Sequence, residues 1–158
     1  EHDADVRVTI VDLPGQIGMM KQQIAGQEGA DRIEGFATNL LEAQNKLPEG
    51  TWNAIWMSQF LDCFSEEEIY CILCKAAQVM GTDTRLYIME TFWNRQRFEP
   101  ASLCLTMTSV YFTAMANGNS KMYHSEDMTR LIAQAGLKVV TTHDGIGRGH
   151  SILEVSLP

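Results

Sequence analysis

Three carboxylates lie where predicted strands end, and α/β proteins place their binding and catalytic residues at such ends. Asp12 follows the β-branched run Val6–Val11, Asp62 comes shortly after Trp52–Gln59, and Glu90 ends Arg85–Glu90. Ligands of open α/β sheets bind outside the carboxyl ends of parallel strands. Asp12 could therefore accept hydrogen bonds from the two hydroxyls of a ribose, or it could simply cap the helix that follows.

Asp62 and Glu90 could take part in proton transfer, although each has an ordinary explanation as well. A free aspartate has a pKa of about 3.9 and is a weak base unless burial raises that pKa. Asp62 could be a loop carboxylate near the cap of the next helix, which Ser65 and Glu68 open with a capping-box spacing. Glu90 could be a strand-end acid that accepts hydrogen bonds from loop amides.

The cysteines and histidines give weaker signals. Cys71 and Cys74 form a Cys-x-x-Cys pair inside a helical pattern with no second pair, so we expect small buried residues and no metal site. Cys63 has no histidine near it in sequence that could make it a nucleophile. We expect His124 to pack at a helix entry. His150 begins a strand after a glycine turn, and a role in a pocket stays open.

Strands and helices alternate along the chain, which predicts an α/β fold with a mostly parallel sheet. The short turn Asp144–Gly149 before the final strand predicts one antiparallel strand. The predicted strands are Val6–Val11, Arg32–Thr38, Trp52–Gln59, Arg85–Glu90, Lys138–Thr142 and Ser151–Ser156. The predicted helices run from Pro14 to Gly26 or Gly29, from Ser65 to Gly81, over Phe98–Ala116 and from Ser125 to Gly136, with Asn39–Lys46 a short helix or loop.

Composition narrows the functional classes. The 158 residues suit one domain over 1–158, and the net charge of −8 argues against nucleic acid or an anionic membrane surface as a partner. No apolar run approaches the roughly 20 residues of a membrane span, and no signal peptide opens the sequence. We therefore expect a cytoplasmic protein with reduced thiols.

Several short motifs follow one another along the chain, and their order carries a family resemblance. The motifs are Asp12-Leu13-Pro14, Gly35-Phe36, the stretch from Trp56 to Glu66, Ile88-Met89-Glu90, Gly118-Asn119-Ser120-Lys121 and Ala135-Gly136-Leu137. In this order they resemble the S-adenosylmethionine-dependent O-methyltransferases of the plant caffeate and hydroxyindole type, which include many bacterial enzymes. The resemblance covers nearly the whole chain but only the later part of that family's Rossmann-like catalytic domain.

This resemblance implies S-adenosylmethionine as cofactor and assigns five residues to it. Asp12 matches the acid that binds the cofactor ribose, and Leu13 would lie beside the adenine. Where the family has Gly-Asp after its third strand, this chain has Gly-Phe, and Thr38 and Asn39 are the nearest polar candidates. Ser58 matches a position that often carries a lysine near the cofactor.

The resemblance also implies methyl transfer to a small aromatic hydroxyl substrate by a homodimer. Asp62 falls on the family's catalytic histidine, and Glu90 falls on an acid that orients that base. A later family glutamate would fall near Lys121 or Met122 and is absent. Met107 and Met115 could line an aromatic pocket, as that region does in the family, or they could be core.

The family's first strand and its glycine-rich loop have no counterpart before Val6. Gly145, Gly147 and Gly149 lie between the last two strands and open no helix, so they are not that loop. We therefore expect a piece of a longer enzyme, inactive alone, whose sheet closes the gap or takes a strand from another copy. Two alternatives stay open, a catalytically degenerate binding or assembly module and half of a nicotinamide-dependent dehydrogenase.

Overall fold

Six strands and four helices make up residues 3–158, the part of the chain that the computed structural model describes. The strands are β1 Val8–Asp12, β2 Ile33–Ala37, β3 Ala54–Ser58, β4 Arg85–Glu90, β5 Lys138–Ile146 and β6 His150–Ser156. The helices are α1 Pro14–Ile24, α2 Glu66–Val79, α3 Glu99–Met115 and α4 Ser125–Gln134. The predicted strands and the four long helices are confirmed, whereas residues 39–46 form turns without a helix.

The chain divides into two compact units, one ending at Glu49 and the other beginning at Gly50. In the first unit β1 and β2 are parallel, with Asp12 opposite Ala37 at their carboxyl ends. The Thr38 amide donates to the Asp12 carbonyl at 2.9 Å and ties the two strand ends together. A strand, a helix and a parallel strand thus form the βαβ unit that the sequence predicts.

Gly35 lets α1 approach β2 closely. A Cβ at this position would lie 2.6 Å from Cγ2 of Ile17 and 2.8 Å from Cε of Met20. Ile17 is the buried residue of α1, so its side chain fills the space that a larger residue at position 35 would need. The absence of a side chain here therefore sets the distance between helix and strand.

The β-branched run that forms β1 is typical of a strand buried on most of its length, and this expectation is wrong. No residue of β1 is buried, and Val8 is 45% exposed. In its sheet, β1 is an edge strand with β2 as its one partner among the described residues. The described strands form two hydrogen-bonded sheets, so no ladder closes them into one.

The second unit contains a four-stranded sheet in the order β3-β4-β6-β5. β3 and β4 are parallel, and β6 runs antiparallel to both of its neighbours. This confirms a mostly parallel sheet with one antiparallel strand near the carboxyl terminus. Because β6 runs backwards, its first residues lie at the carboxyl ends of β3 and β4.

The core of the second unit is built from alternate strand positions and one face each of α2 and α4. The predicted capping box is confirmed: the Ser65 hydroxyl accepts from the Glu68 amide, and the Glu68 carboxylate accepts from the Ser65 amide. It fixes the start of α2 directly after the turn that carries Asp62. The buried apolar residues are Met57, Leu86, Ile88, Leu153 and Val155 of the strands, Ile69, Ile72, Leu73 and Ala76 of α2, and Met128, Leu131 and Ile132 of α4.

Helix α3 buries none of its residues, although Glu99 is its one charged residue. Met107 is exposed and Met115 is 73% exposed, so neither belongs to a core within this chain. The expectation that Cys71 and Cys74 are small buried residues is also wrong, since Cys71 is exposed and Cys74 is half-buried. Apolar composition predicted the helices correctly but not which of their faces are covered.

Substitution of Gly35 by alanine tests the close packing of α1 on β2. We expect Gly35→Ala to lower the free energy of unfolding by about 1–3 kcal/mol, because Ile17 must move to admit the methyl group. The matched control is Gly18→Ala in α1, where a Cβ meets nothing within 4 Å and helix propensity favours alanine by about 1 kcal/mol. Urea unfolding measures both, and equal stability of the two variants would contradict the packing argument.

Candidate functional site

A cleft of about 840 Å³ opens at the carboxyl ends of β1 and β2, within the first unit. Leu13, Thr38 and Asn39, three of the predicted cofactor-binding residues, line it. The other lining residues are Pro14, Phe36, Ala37, Glu42, Gln44, Asn45, Lys46, Leu47, Pro48 and Glu49. Polar and apolar residues line this cleft in similar numbers, and its place at the end of parallel strands is where α/β proteins bind small molecules.

Asp12 stands at the carboxyl end of β1, next to the cleft residue Leu13. Its side chain is exposed, and its Oδ1 accepts a hydrogen bond from the Leu13 amide at 2.7 Å. Leu13 occupies the N-cap position of α1, which has no side-chain cap. The alternative role of Asp12 as a helix cap is therefore not what the structure shows.

The loop after β2 organises its own polar groups and forms one wall of the cleft. Oδ1 of Asn39 accepts from the Leu41 amide at 3.1 Å, and its Nδ2 lies 3.3 Å from a Glu42 oxygen. Asn45 donates to the Asn39 carbonyl at 3.0 Å. The Asn39 side chain thus stabilises the loop, while the buried Thr38 lies at the end of β2. Phe36, which sequence reasoning noted only as a departure from the family pattern, also lines the cleft.

In the second unit, Glu90 holds the turn that carries Asp62. Glu90 ends β4 and is only 3% exposed, and its Oε1 accepts from the amides of Phe60 and Leu61, both at 2.9 Å. Asp62 lies in a short 3-10 turn, Leu61–Cys63, directly after these amides. The prediction that Glu90 accepts from loop amides is confirmed, but its Oε2 is buried without a hydrogen-bond partner.

The carboxyl groups of Glu90 and Asp62 both have raised pKa values. Burial, and then the charge of Asp62, raise the pKa of Glu90 from 4.5 to about 7. Burial also raises the pKa of Asp62, which a hydrogen bond from Cys63 partly offsets. No described ion pair includes either acid. Near neutral pH, this pair of carboxyl groups is therefore able to hold a proton.

The segment before α4 covers the Asp62 turn. The Lys121 amide donates to the Asp62 carbonyl at 2.9 Å, and the Asn117 side chain donates to the Cys63 carbonyl at 3.3 Å. The hydroxyl of the buried Tyr123 donates to the Phe64 carbonyl. The ammonium group of Lys121 pairs with Glu66 at 3.3 Å and does not form an ion pair with Asp62.

Sequence reasoning missed a polar contact at the same strand ends. Gln59, one residue after Ser58 at the end of β3, is the one described residue other than glycine with a positive φ, at 46°. The nitrogen of its side-chain amide lies 2.7 Å from Nε2 of His150, the first residue of β6. Ser58 itself is half-buried, and its register partner is Met89. The φ of Gln59 and this cross-strand contact have no counterpart in local sequence patterns.

A hydrogen-bonded network anchors the turn that leads into β6. Arg95 pairs with Asp144 through two bonds of 2.6 Å, and the fully buried Ser151 donates to the same carboxylate at 2.6 Å. Ser151 is the register partner of Glu90. The network thus fixes β6 at the strand ends where Asp62 and Glu90 lie.

Residues 3–158 contain neither a metal-binding cluster nor a helix that could span a membrane. No cluster of three or more histidine, cysteine or acidic side chains in this part of the chain is arranged to hold a metal ion. None of its helices has the length and apolarity that crossing a bilayer requires.

The structural neighbours of the chain are S-adenosylmethionine-dependent O-methyltransferases. The mitomycin 7-O-methyltransferase MmcR is 18% identical, with a TM-score of 0.80 over 96% of this chain and 42% of its own. The O-methyltransferase NcsB1 of neocarzinostatin biosynthesis, solved with S-adenosyl-L-homocysteine and 1,4-dihydroxy-2-naphthoic acid, is 19% identical, with a TM-score of 0.78 over 98% and 43%. A family 2 O-methyltransferase from Planctomyces limnophilus, solved with apigenin, is 18% identical, with a TM-score of 0.77 over 96% and 44%.

These likenesses establish the fold. No protein-family model matches the sequence, and no curated protein matches it either. The chain spans about two-fifths of the length of the solved structures that it resembles. Its α/β architecture, with one antiparallel strand near the carboxyl terminus, is the methyltransferase fold.

The raised pKa of Glu90 predicts how stability changes with pH. A carboxyl group that binds its proton more tightly in the folded state stabilises the fold while it is protonated. For Glu90 this contribution is fully present below the unfolded pKa of about 4.5 and is lost as the pH rises through the folded pKa of about 7. We expect a loss on the order of 3 kcal/mol over this range. Gln keeps the shape but has no such ionisation, so Glu90→Gln removes this contribution.

The measurement is urea unfolding at several pH values between 4 and 8. The control is Glu126→Gln, an exposed first-turn residue of α4. If wild type and Glu90→Gln show the same pH dependence, Glu90 does not bind a proton in the folded state as described.

Proposed function

We propose that the chain belongs to an S-adenosylmethionine-dependent methyltransferase that acts on a hydroxyl group of a small aromatic substrate. The observation that supports it most is the methyltransferase fold with an exposed acid, Asp12, ending β1 beside a cleft of suitable size. The solved neighbours with bound aromatic hydroxyl compounds support the substrate class.

The residues of the first unit fit the nucleoside part of this cofactor. Asp12 offers a carboxylate to the two ribose hydroxyls, which are paired donors that such an acid binds well. Leu13 and Phe36 offer apolar surface to the adenine ring. Thr38 and Asn39 lie at the other side of the strand ends, where the amides and carbonyls of the loop are available for the base edge. Ser58, at the end of β3, keeps the proposed cofactor contact that the family resemblance assigns to its position.

Asp62 is the proposed proton acceptor for the substrate hydroxyl. S-adenosylmethionine, when bound, supplies a methyl group on a positively charged sulfur. The chain must orient the hydroxyl and remove its proton, which general bases do best when their pKa lies near the working pH. Burial of Asp62 raises its pKa in that direction, and Glu90 keeps the turn in place through two amides.

A homodimer is part of this proposal. Helix α3 contains one charged residue, Glu99. Its exposed apolar surface consists of Leu103, Met107, Val110, Tyr111 and Met115. Contiguous exposed apolar side chains of this size normally mark an interaction surface. A second copy or another part of the same polypeptide would cover this surface.

Two isosteric variants in the full-length protein separate cofactor binding from proton transfer. We expect Asp12→Asn to weaken S-adenosylmethionine binding about tenfold to a hundredfold, because charge-assisted hydrogen bonds to the ribose are lost. We expect Asp62→Asn to keep that binding but to lower kcat about a hundredfold, because the proton acceptor is lost. Calorimetry and transfer of labelled methyl to 1,4-dihydroxy-2-naphthoic acid measure the two effects.

Asp31→Asn and Asp127→Asn are the controls, since both acids lie outside the proposed contacts. Cofactor affinity that is unchanged in Asp12→Asn would remove the ribose role. Unchanged transfer in Asp62→Asn would remove the role of proton acceptor. Wild-type protein that binds the cofactor but methylates no phenol would instead identify a binding module that has lost catalysis.

A further inference from the structure

His150 lies at the edge of the second unit where the proposed chemistry takes place. β6 is antiparallel to β4, and Ser151 is paired with Glu90 at the end of β4. His150 therefore begins its strand beside the carboxyl ends of β3 and β4. Successive residues of a strand point to opposite faces, so His150 and Ser151 approach this edge from different sides.

The imidazole of His150 presents a hydrogen-bond acceptor there. Its Nε2 lies 2.7 Å from the side-chain nitrogen of Gln59. An amide nitrogen only donates, so Nε2 accepts and a neutral ring carries its proton on Nδ1. Nδ1 points to the turn, where it lies 3.9 Å from the place of a Cβ at Gly147. The lone pair at Nε2 is thus satisfied by a single exposed side chain.

Gln59 is a partner that a ligand could easily replace. Its side chain is exposed, and a solvent-exposed hydrogen bond between neutral groups contributes little net stability. Its backbone has a φ of 46°, in the left-handed region that residues other than glycine seldom adopt, and such residues concentrate at functional sites. The backbone amide of Gln59 donates to the Met89 carbonyl at 2.8 Å, which holds this backbone conformation independently of the side chain.

The other described histidines are differently placed. His124 caps α4, where its Nδ1 accepts from the Glu126 amide, and its ring contacts Trp93. His143 lies on β5 with Nε2 3.9 Å from Glu154. Of these three, His150 alone directs an accepting nitrogen to the strand ends that carry Asp62 and Glu90.

We propose that His150 binds the methyl acceptor. Its Nε2 accepts a hydrogen bond from an O–H or N–H group of the substrate, and this group is not the hydroxyl that is methylated. The substrate group takes the place of the side-chain amide of Gln59. The residue thereby selects aromatic acceptors with a second donor, such as dihydroxy compounds. This inference rests on the proposed function.

Two substitutions with opposite expected effects test it in the full-length protein saturated with S-adenosyl-L-homocysteine. Gln59→Gly removes the competing amide and suits the left-handed backbone, so we expect 1,4-dihydroxy-2-naphthoic acid to bind about threefold to tenfold more tightly. His150→Phe removes the acceptor nitrogen, so we expect binding to weaken about threefold to tenfold. The double variant should bind as weakly as His150→Phe.

The comparison ligand is the 1,4-dimethoxy analogue, which keeps the ring system but has no hydroxyl donors. We expect neither substitution to change its affinity. The control variant is His143→Phe, on the exposed surface of β5, which should leave both affinities unchanged. Calorimetry gives the dissociation constants.

The result that overturns the proposal is an affinity for the dihydroxy compound that neither substitution changes. Equal weakening by Gln59→Gly and His150→Phe would also overturn it, because the two residues would then be only a structural pair. Wild-type protein that binds S-adenosyl-L-homocysteine but not the dihydroxy compound counts against the proposal in the same way. Failure to bind S-adenosyl-L-homocysteine would instead refute the proposed function.

Discussion

The candidate site of the second unit depends on one buried carboxyl group. Glu90 ends β4, and its Oε1 accepts two amide hydrogen bonds from the segment that follows β3. This contact joins the ends of two parallel strands and fixes the turn that presents Asp62. On the other side of β4, the pairing of Ser151 with Glu90 brings the start of β6 to the same edge. The protonation state of the Glu90 carboxyl group therefore affects the turn that carries Asp62 and the start of β6.

Placing two acids together without a cation has a clear electrostatic consequence. Burial, and then the negative charge of Asp62, disfavour the ionised form of Glu90, which is why the pKa of Glu90 rises to about 7. The Asp62 side chain, whose pKa burial also raises, is half-buried. Position 62, which the family resemblance assigns to a histidine, carries an acid in this chain. In the first unit, Asp12 and the cleft beside Leu13 are the proposed site of the nucleoside.

Local signals predicted most of the fold. β-branched runs gave the strands, helical spacing gave the helices, and the capping box at Ser65 and Glu68 fixed the start of α2. Burial was predicted poorly for β1, α3 and Cys71, because exposure depends on what covers an apolar face and the sequence does not encode that partner locally. The acids at 12, 62 and 90 could be found because they follow strands. The contact of Gln59 with His150 could not, because it joins residues far apart in sequence through an unusual backbone conformation.

Titration of the Glu90 side chain tests directly whether burial and the nearby charge of Asp62 raise the pKa of Glu90. Carbon-13 NMR of the labelled carboxyl groups, assigned with Glu90→Gln, follows this titration residue by residue. We expect the Glu90 carboxyl group to titrate with a midpoint near pH 7. In Asp62→Asn the midpoint should be lower, because the neighbouring charge is gone. A midpoint near 4.5, unchanged by the loss of the Asp62 charge, would contradict it.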